Sequence, residues 1–231
     1  MDLGTILSVW AHPDDETYLC GGLMAAARRA GHRVVCVTAT RGELGSTDPD
    51  RWPNGPELAE IRTKELEEAL TALGVTEHHW LDYPDGGCDQ VDNDEAVARI
   101  RTIAEDARPD TVLTFGPDGM TWHSDHITVG RWAEAAVAGL GAQTHYATYS
   151  DEWLTKWHDP LEELGVFMGS TPVSVPDGAL SIHFTCDDDI LDAKVTAITA
   201  QISQVEPLLN AFPPEDFRAA LSLETFRRAT S

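Results

Sequence analysis

Two short stretches of this chain bring imidazole and carboxylate side chains close together. One reads Ala11-His12-Pro13-Asp14-Asp15-Glu16. The other runs from Gly116 to His126 and ends Thr121-Trp122-His123-Ser124-Asp125-His126. Imidazole plus carboxylate is the ligand chemistry of catalytic zinc, which keeps one coordination position open for water. His12 and Asp15 are three residues apart, and Pro13 disfavours helical geometry at His12. A turn can therefore aim both at one ion, and His126 can add a third ligand from the second stretch. Zinc lowers the pKa of bound water to about 7, and a nearby carboxylate can take its proton as it attacks an amide carbon. Asp14, beside a ligand but turned from the ion by alternation, suits that task. A cationic His123 would steady the oxyanion, an effect of about 3 kcal/mol. Glu16 is either a partner of a ligand imidazole or a carboxylate favoured at a helix N-terminus. A single histidine in such a loop is more often merely hydrogen-bonded; the joint pattern is what argues for a metal.

The surrounding elements explain how two distant stretches can meet. Ile6–Trp10 reads as a buried strand, followed by a helix from about Thr17 that Gly31 stops. Val34–Val37 is a second strand, of the β-branched kind that parallel sheets bury on both faces. A helix over Glu57–Leu73, a strand at His78–Leu81, a helix over Asp94–Ala107 and a strand at Thr111–Phe115 follow. Another helix begins near His126, and Tyr146–Tyr149 is the next strand. The alternation predicts a single α/β domain over residues 1–231, with a mainly parallel sheet flanked by helices. The pattern fades between Asp151 and Leu180, where only Trp153 and Trp157 suggest a helical face. It resumes at Ile182–Phe184 with a helix capped by Asp187-Asp188-Asp189. Ligands of open parallel sheets bind outside the carboxyl ends of the strands, and both His/Asp stretches fall on that edge. The first loop also excludes a dinucleotide site, which needs glycines for the pyrophosphate. Three consecutive carboxylates repel phosphate and attract a cation.

Composition narrows the partners. The 231 residues include 39 Asp plus Glu against 16 Lys plus Arg, a formal net charge of -23. Such a surface disfavours nucleic acid and anionic lipid. No apolar run is long enough for a membrane span, and the N-terminus lacks a basic leader region. Cys20, Cys36, Cys88 and Cys186 are widely spaced and read as reduced thiols, so a cytoplasmic location is expected. Trp52 and Trp122 lie in loops on the active edge, and Trp122 is the better placed to stack on a sugar ring. Oligomeric state is left open.

The string Ala11-His12-Pro13-Asp14-Asp15-Glu16 together with His123-Ser124-Asp125-His126 resembles the signature of the LmbE-like (PIG-L) zinc deacetylase family. Thr40-Arg41-Gly42-Glu43, Arg62-x-x-Glu65 and Asp82-Tyr83-Pro84-Asp85-Gly86 agree with it. The resemblance covers about Ile6 to Gly139 well and the remainder loosely. It implies a Rossmann-like fold and hydrolysis of an N-acetyl group on a glucosaminyl conjugate, a small amino-sugar substrate. It implies Zn2+ held by His12, Asp15 and His126, with Asp14 as general base and His123 stabilising the tetrahedral intermediate. Asp125 resembles the carboxylate that orients His123, and Arg62 and Asp85 match sugar-binding positions. Three departures stand out. Ser124 replaces a common Pro, Thr121 occupies the place of a Tyr found in some members, and Gln201-Ile202-Ser203-Gln204 lacks a histidine often found there.

Two other functions fit parts of the pattern. Two histidines and a carboxylate also describe a non-heme iron(II) centre, and a catalytically silent metal-binding module would keep the ligands alone. Oxygen-dependent turnover would mark the first, and metal binding without release of any acyl group would mark the second.

Overall fold

The computed structural model describes residues 2–229. Its elements in chain order are β1 (Ile6–Trp10), α1 (Asp15–Arg29), β2 (Val34–Thr40), α2 (Pro56–Ala72), β3 (Glu77–Tyr83), α3 (Asn93–Ala107), β4 (Thr111–Phe115), α4 (Ser124–Val137), β5 (Gln143–Ala147), β6 (Tyr149–Ser150), α5 (Asp151–Glu163), β7 (Ser174–Val175), β8 (Ile182–Thr185), α6 (Asp188–Ala200), α7 (Ile202–Ala211), α8 (Pro214–Leu221) and β9 (Leu223–Arg228). Seven strands form one sheet in the order β3-β2-β1-β4-β5-β9-β8. The first five are parallel, whereas β9 runs antiparallel to both neighbours. The expected α/β fold with a mainly parallel sheet is therefore what the chain adopts. Helices α1, α2 and α6 pack together, as do α3 and α4.

The strand order decides where a ligand can sit. The chain leaves β1 toward β2 on one side and returns beside it as β4 on the other. The loops that follow β1 and β4 diverge there and open a crevice, the position where such sheets bind ligands. These are the two His/Asp stretches. Every residue of β1 and β4 is buried, so both loops rise from rigid strands.

Both helices that follow start earlier than the sequence suggests, and the difference matters. α1 begins at Asp15 rather than near Thr17, and α4 at Ser124 rather than near His126. Asp15, Asp125 and His126 thus sit in first turns, where the helix dipole favours carboxylates. α4 lies hard against the end of β4 because Gly130 has no side chain. A Cβ there would be 2.7 Å from the Phe115 carbonyl oxygen. Gly130→Ala should push α4 away and destabilise the fold by about 1–3 kcal/mol, read as a lowered midpoint in urea.

The region after residue 147 differs most from expectation. The predicted strand through Tyr149 breaks at Thr148, whose amide donates to the Thr225 carbonyl at 3.1 Å while the Thr225 hydroxyl donates back to the Thr148 carbonyl at 2.6 Å. The chain then forms α5 where the sequence pattern fades, with Ser150 capping it by accepting from the Trp153 amide at 3.1 Å. Strand β9 had no counterpart in the sequence reading.

A candidate metal and active centre

The turn after β1 is built around Asp15. Its Oδ2 accepts from the backbone amides of Ala11 and His12 at 3.1 and 2.8 Å, which leaves Oδ1 facing inward, 3.5 Å from His126 Nε2. His12 Nδ1 lies 3.1 Å from the same His126 nitrogen. Two ring nitrogens from the β1 and β4 loops therefore meet, with the Asp15 carboxylate beside them, its Oδ2 3.7 Å from His12 Nδ1 and its Oδ1 3.5 Å from His126 Nε2.

Hydrogen bonds on the far sides of the rings fix what those nitrogens present. His126 Nδ1 donates to the Gly119 carbonyl at 2.9 Å, so its Nε2 carries the lone pair. His12 Nε2 donates to Asp85 Oδ1 at 3.1 Å and Asp125 Oδ2 at 3.3 Å, so a neutral His12 would carry its lone pair on Nδ1. Two lone pairs and a carboxylate oxygen facing one another require a cation between them. In the chain by itself a proton serves. Burial disfavours the His12 charge, but Asp125 and Asp85 outweigh it and push its pKa up to about 10, while burial holds His126 well below the ordinary range. A divalent ion would take the place of that proton, and imidazole plus carboxylate donors fit one. Among the described residues, two other groupings hold their donor atoms within 4.8 Å of one another. His123 also comes near His12 and His126, but its Nδ1 accepts the Asp125 amide at 3.1 Å. The trio His12, Asp85 and Asp125 is already held together by the His12 Nε2 proton.

Asp14 occupies a strained position. Its φ of 153° and ψ of -31° are rarely adopted by a residue with a side chain, at a cost of about 1–3 kcal/mol. The strain turns its carboxylate from Asp15 toward Arg62, whose guanidinium donates to it at 3.2 Å and to the carbonyls of Pro13 and Gly42 at 2.8 and 2.9 Å. Burial raises the Asp14 pKa to about 6 against the pull of Arg62, a value suited to a base working near neutrality. Glu16 contacts no imidazole. It accepts from the Asp14 amide and from Gln201 Nε2, each at 3.1 Å, and thereby braces the strained turn.

Three sequence expectations change here. Asp125 does not orient His123 through its carboxylate, which is fully buried. That group accepts from the Gly86 and Cys88 amides at 2.7 and 3.1 Å and from His12, so it orients His12. The expected cationic form of His123 is disfavoured, because burial and the charge on His12 lower its pKa and its Nδ1 accepts the Asp125 amide. Trp122 does not line the cavity. Its φ of 62° swings the ring outward, 46% exposed, with the indole N–H on the Thr171 carbonyl at 3.0 Å. Arg62 and Asp85 do line the cavity, although most of their polar atoms are engaged by protein groups. Trp52 is buried and stacks under Arg51, and all four cysteines are free and buried.

A cavity of about 530 Å³ opens at this cluster, within the range of small-molecule sites. Sequence reasoning missed the C-terminal residues that wall it, among them Gln204, Phe212 and Phe217, because they come from three short elements with no shared period. It also missed Tyr18, whose buried hydroxyl faces the cavity without a partner. Thr121, in place of a Tyr, puts its hydroxyl 3.4 Å from His126 Nδ1.

A sequence profile of the PIG-L family, described as GlcNAc-PI de-N-acetylase, matches residues 7–137. The 1D-myo-inositol 2-acetamido-2-deoxy-alpha-D-glucopyranoside deacetylase of Kineococcus radiotolerans is 32% identical, over 90% of this chain and 71% of its own length. Among solved structures, the deacetylase of the A40926 pseudoaglycone superposes with a TM-score of 0.69 at 21% identity, covering 100% of both chains. A 4-carboxy-2-hydroxymuconate hydratase from Pseudomonas putida superposes nearly as well, with a TM-score of 0.65 at 15% identity over 99% of this chain and 97% of that one, so the fold alone does not fix the reaction. By its sequence, this chain belongs to the PIG-L (LmbE-like) family of de-N-acetylases.

Proposed function

We propose that this protein is a zinc-dependent amidohydrolase that removes an N-acyl group from a glucosaminyl conjugate, with His12, Asp15 and His126 as the metal ligands. The observation that supports it is the meeting of His12 Nδ1 and His126 Nε2 next to the Asp15 carboxylate, beside a second carboxylate, Asp14, that holds none of those contacts. Zinc bound by such a set polarises the amide carbonyl and makes water acidic enough to attack at neutral pH. Asp14 takes the proton of the attacking water and returns it to the leaving amine nitrogen, its basicity set by burial and held in check by Arg62. His123, with Nδ1 fixed by the Asp125 amide, presents Nε2–H to the developing oxyanion. Asp85 and Asp125 hold the His12 ring in the tautomer that leaves Nδ1 to the metal. No helix among the described residues is long and apolar enough to cross a membrane; we take the enzyme as cytoplasmic and its substrate as a small amino-sugar conjugate.

The test is acetate release from an N-acetylglucosaminyl conjugate in anaerobic buffer, by chain stripped of metal and reloaded with one equivalent of zinc. Release without oxygen supports the reading. Turnover only with iron(II) and oxygen, or tight metal binding with no release from any amide, overturns it.

A further inference from the structure

The cavity joins two kinds of wall at the His/Asp cluster. On the β2 and β3 side it carries the polar groups of Arg62, Asp85 and Gln204 and the backbone of Gly45 and Gly86, with Leu44 among them. On the β5 and β9 side it is apolar, closed by Tyr149, Trp153, Leu161, Phe212, Phe217 and Leu221. Strand order places the metal-ligand set between them, since His12 follows β1 and the cavity continues past β4 and β5 to β9. Three strand spacings separate β1 from β9, about 14 Å, a length that an acetyl methyl cannot fill. The one charged side chain of the apolar arm, Glu224, is spent on Lys194 and on the Gly22 and Leu23 amides, so it asks nothing of a ligand.

An amide held at the metal has its amine on one side of the carbonyl carbon and its acyl carbon on the other. Sugar hydroxyls match the polar arm, which sends the acyl group into the apolar one. Resting on the amidohydrolase reading above, we propose that this protein is a deacylase for glucosaminyl conjugates carrying a medium-length fatty acyl amide, and that the arm between α5, α8 and β9 is its acyl-chain site.

The experiment compares N-acetyl, N-butanoyl, N-hexanoyl and N-decanoyl glucosaminides of one small aglycone on the zinc-loaded chain. Burial of each methylene contributes enough for about a fourfold gain in kcat/KM, so the hexanoyl amide should exceed the acetyl amide by about two orders of magnitude. A second arm keeps the N-acetyl group and lengthens an alkyl aglycone, and it should show little gain. Calorimetry on the metal-free chain gives a readout apart from turnover, with N-decanoylglucosamine binding at least tenfold more tightly than N-acetylglucosamine. Val166→Trp and Leu208→Trp, two substitutions that fill the arm from α7 and from the loop after α5, should bring the hexanoyl-to-acetyl ratio close to one. A flat or falling chain-length series, or gains that follow the aglycone instead, overturns the acyl-site assignment while leaving the amidohydrolase intact. If no amide is cleaved, the amidohydrolase reading fails, and equal binding of the two glucosamines then overturns the acyl site as well.

Discussion

Asp14→Asn should retain its zinc and lose turnover by about two to four orders of magnitude, the range for removal of a general base. The change preserves shape, and the amide oxygen can still accept from Arg62, so the strained turn has no new reason to move. Asp15→Asn should do the reverse, losing metal first and activity as a consequence. Asp15 Oδ2 is committed to the Ala11 and His12 amides, and an amide in its place supplies only one oxygen for both tasks. With Oδ2 kept as an acceptor, a neutral –NH2 would face His126 Nε2 where a carboxylate oxygen now lies. Zinc content by mass spectrometry beside hydrolysis of one conjugate, for both variants, separates the roles. Metal loss in Asp14→Asn with retention in Asp15→Asn would exchange them.

Lys194→Met should cost about 3–5 kcal/mol of stability, the usual penalty for leaving one member of a buried ion pair alone. Lys194 on α6 and Glu224 on β9 are both buried, with Nζ and Oε1 2.7 Å apart. The reason for so expensive a pair lies in α1. Cys20 has non-helical φ and ψ of -146° and 16°, a kink just before two amides that a side chain from β9 bonds. Glu224 supplies the acceptors, Oε1 to Gly22 at 2.6 Å and Oε2 to Leu23 at 2.8 Å, acting as a cap inside the helix, and Lys194 neutralises it. Adding Glu224→Gln to Lys194→Met should recover about half of the loss, because the neutral amide needs no counter-ion and still accepts one bond. Urea denaturation of the two singles and the double checks it; additive losses would show that the two residues do not act as a pair.

β1, β2 and β4 are legible in the sequence because each is a short run that the parallel sheet buries on both faces, whereas β3 and β5 carry polar and exposed residues and are marked by the alternation with helices. The two loops are legible because paired His and Asp have little other use there. What escapes is whatever depends on contact between distant residues. Asp125 serves His12 rather than its near neighbour His123 because two amides, of Gly86 and Cys88, take its carboxylate from a third loop. No local pattern announces that. β9 escapes because Glu224, Arg227 and Arg228 break up its few apolar residues, and Lys194 with the Gly22 and Leu23 amides makes the carboxylate tolerable within a sheet. Trp122 is misplaced for a different reason, since the sign of one backbone angle decides which way its ring points.

The position of β9 has a temporal meaning. It is later in sequence than every other strand, yet it lies inside the sheet, between β5 and β8. During synthesis the parallel half, β1 through β5, can pair as it emerges, and the His/Asp cluster drawn from residues 12–126 can assemble with it. The edge strand β8 has nothing to pair with until residues 223–228 appear, and the wall formed by α8 has no strand to rest on. Such late, long-range closure slows folding, so the protein assembles its His/Asp cluster early in its life and the chamber beside it last.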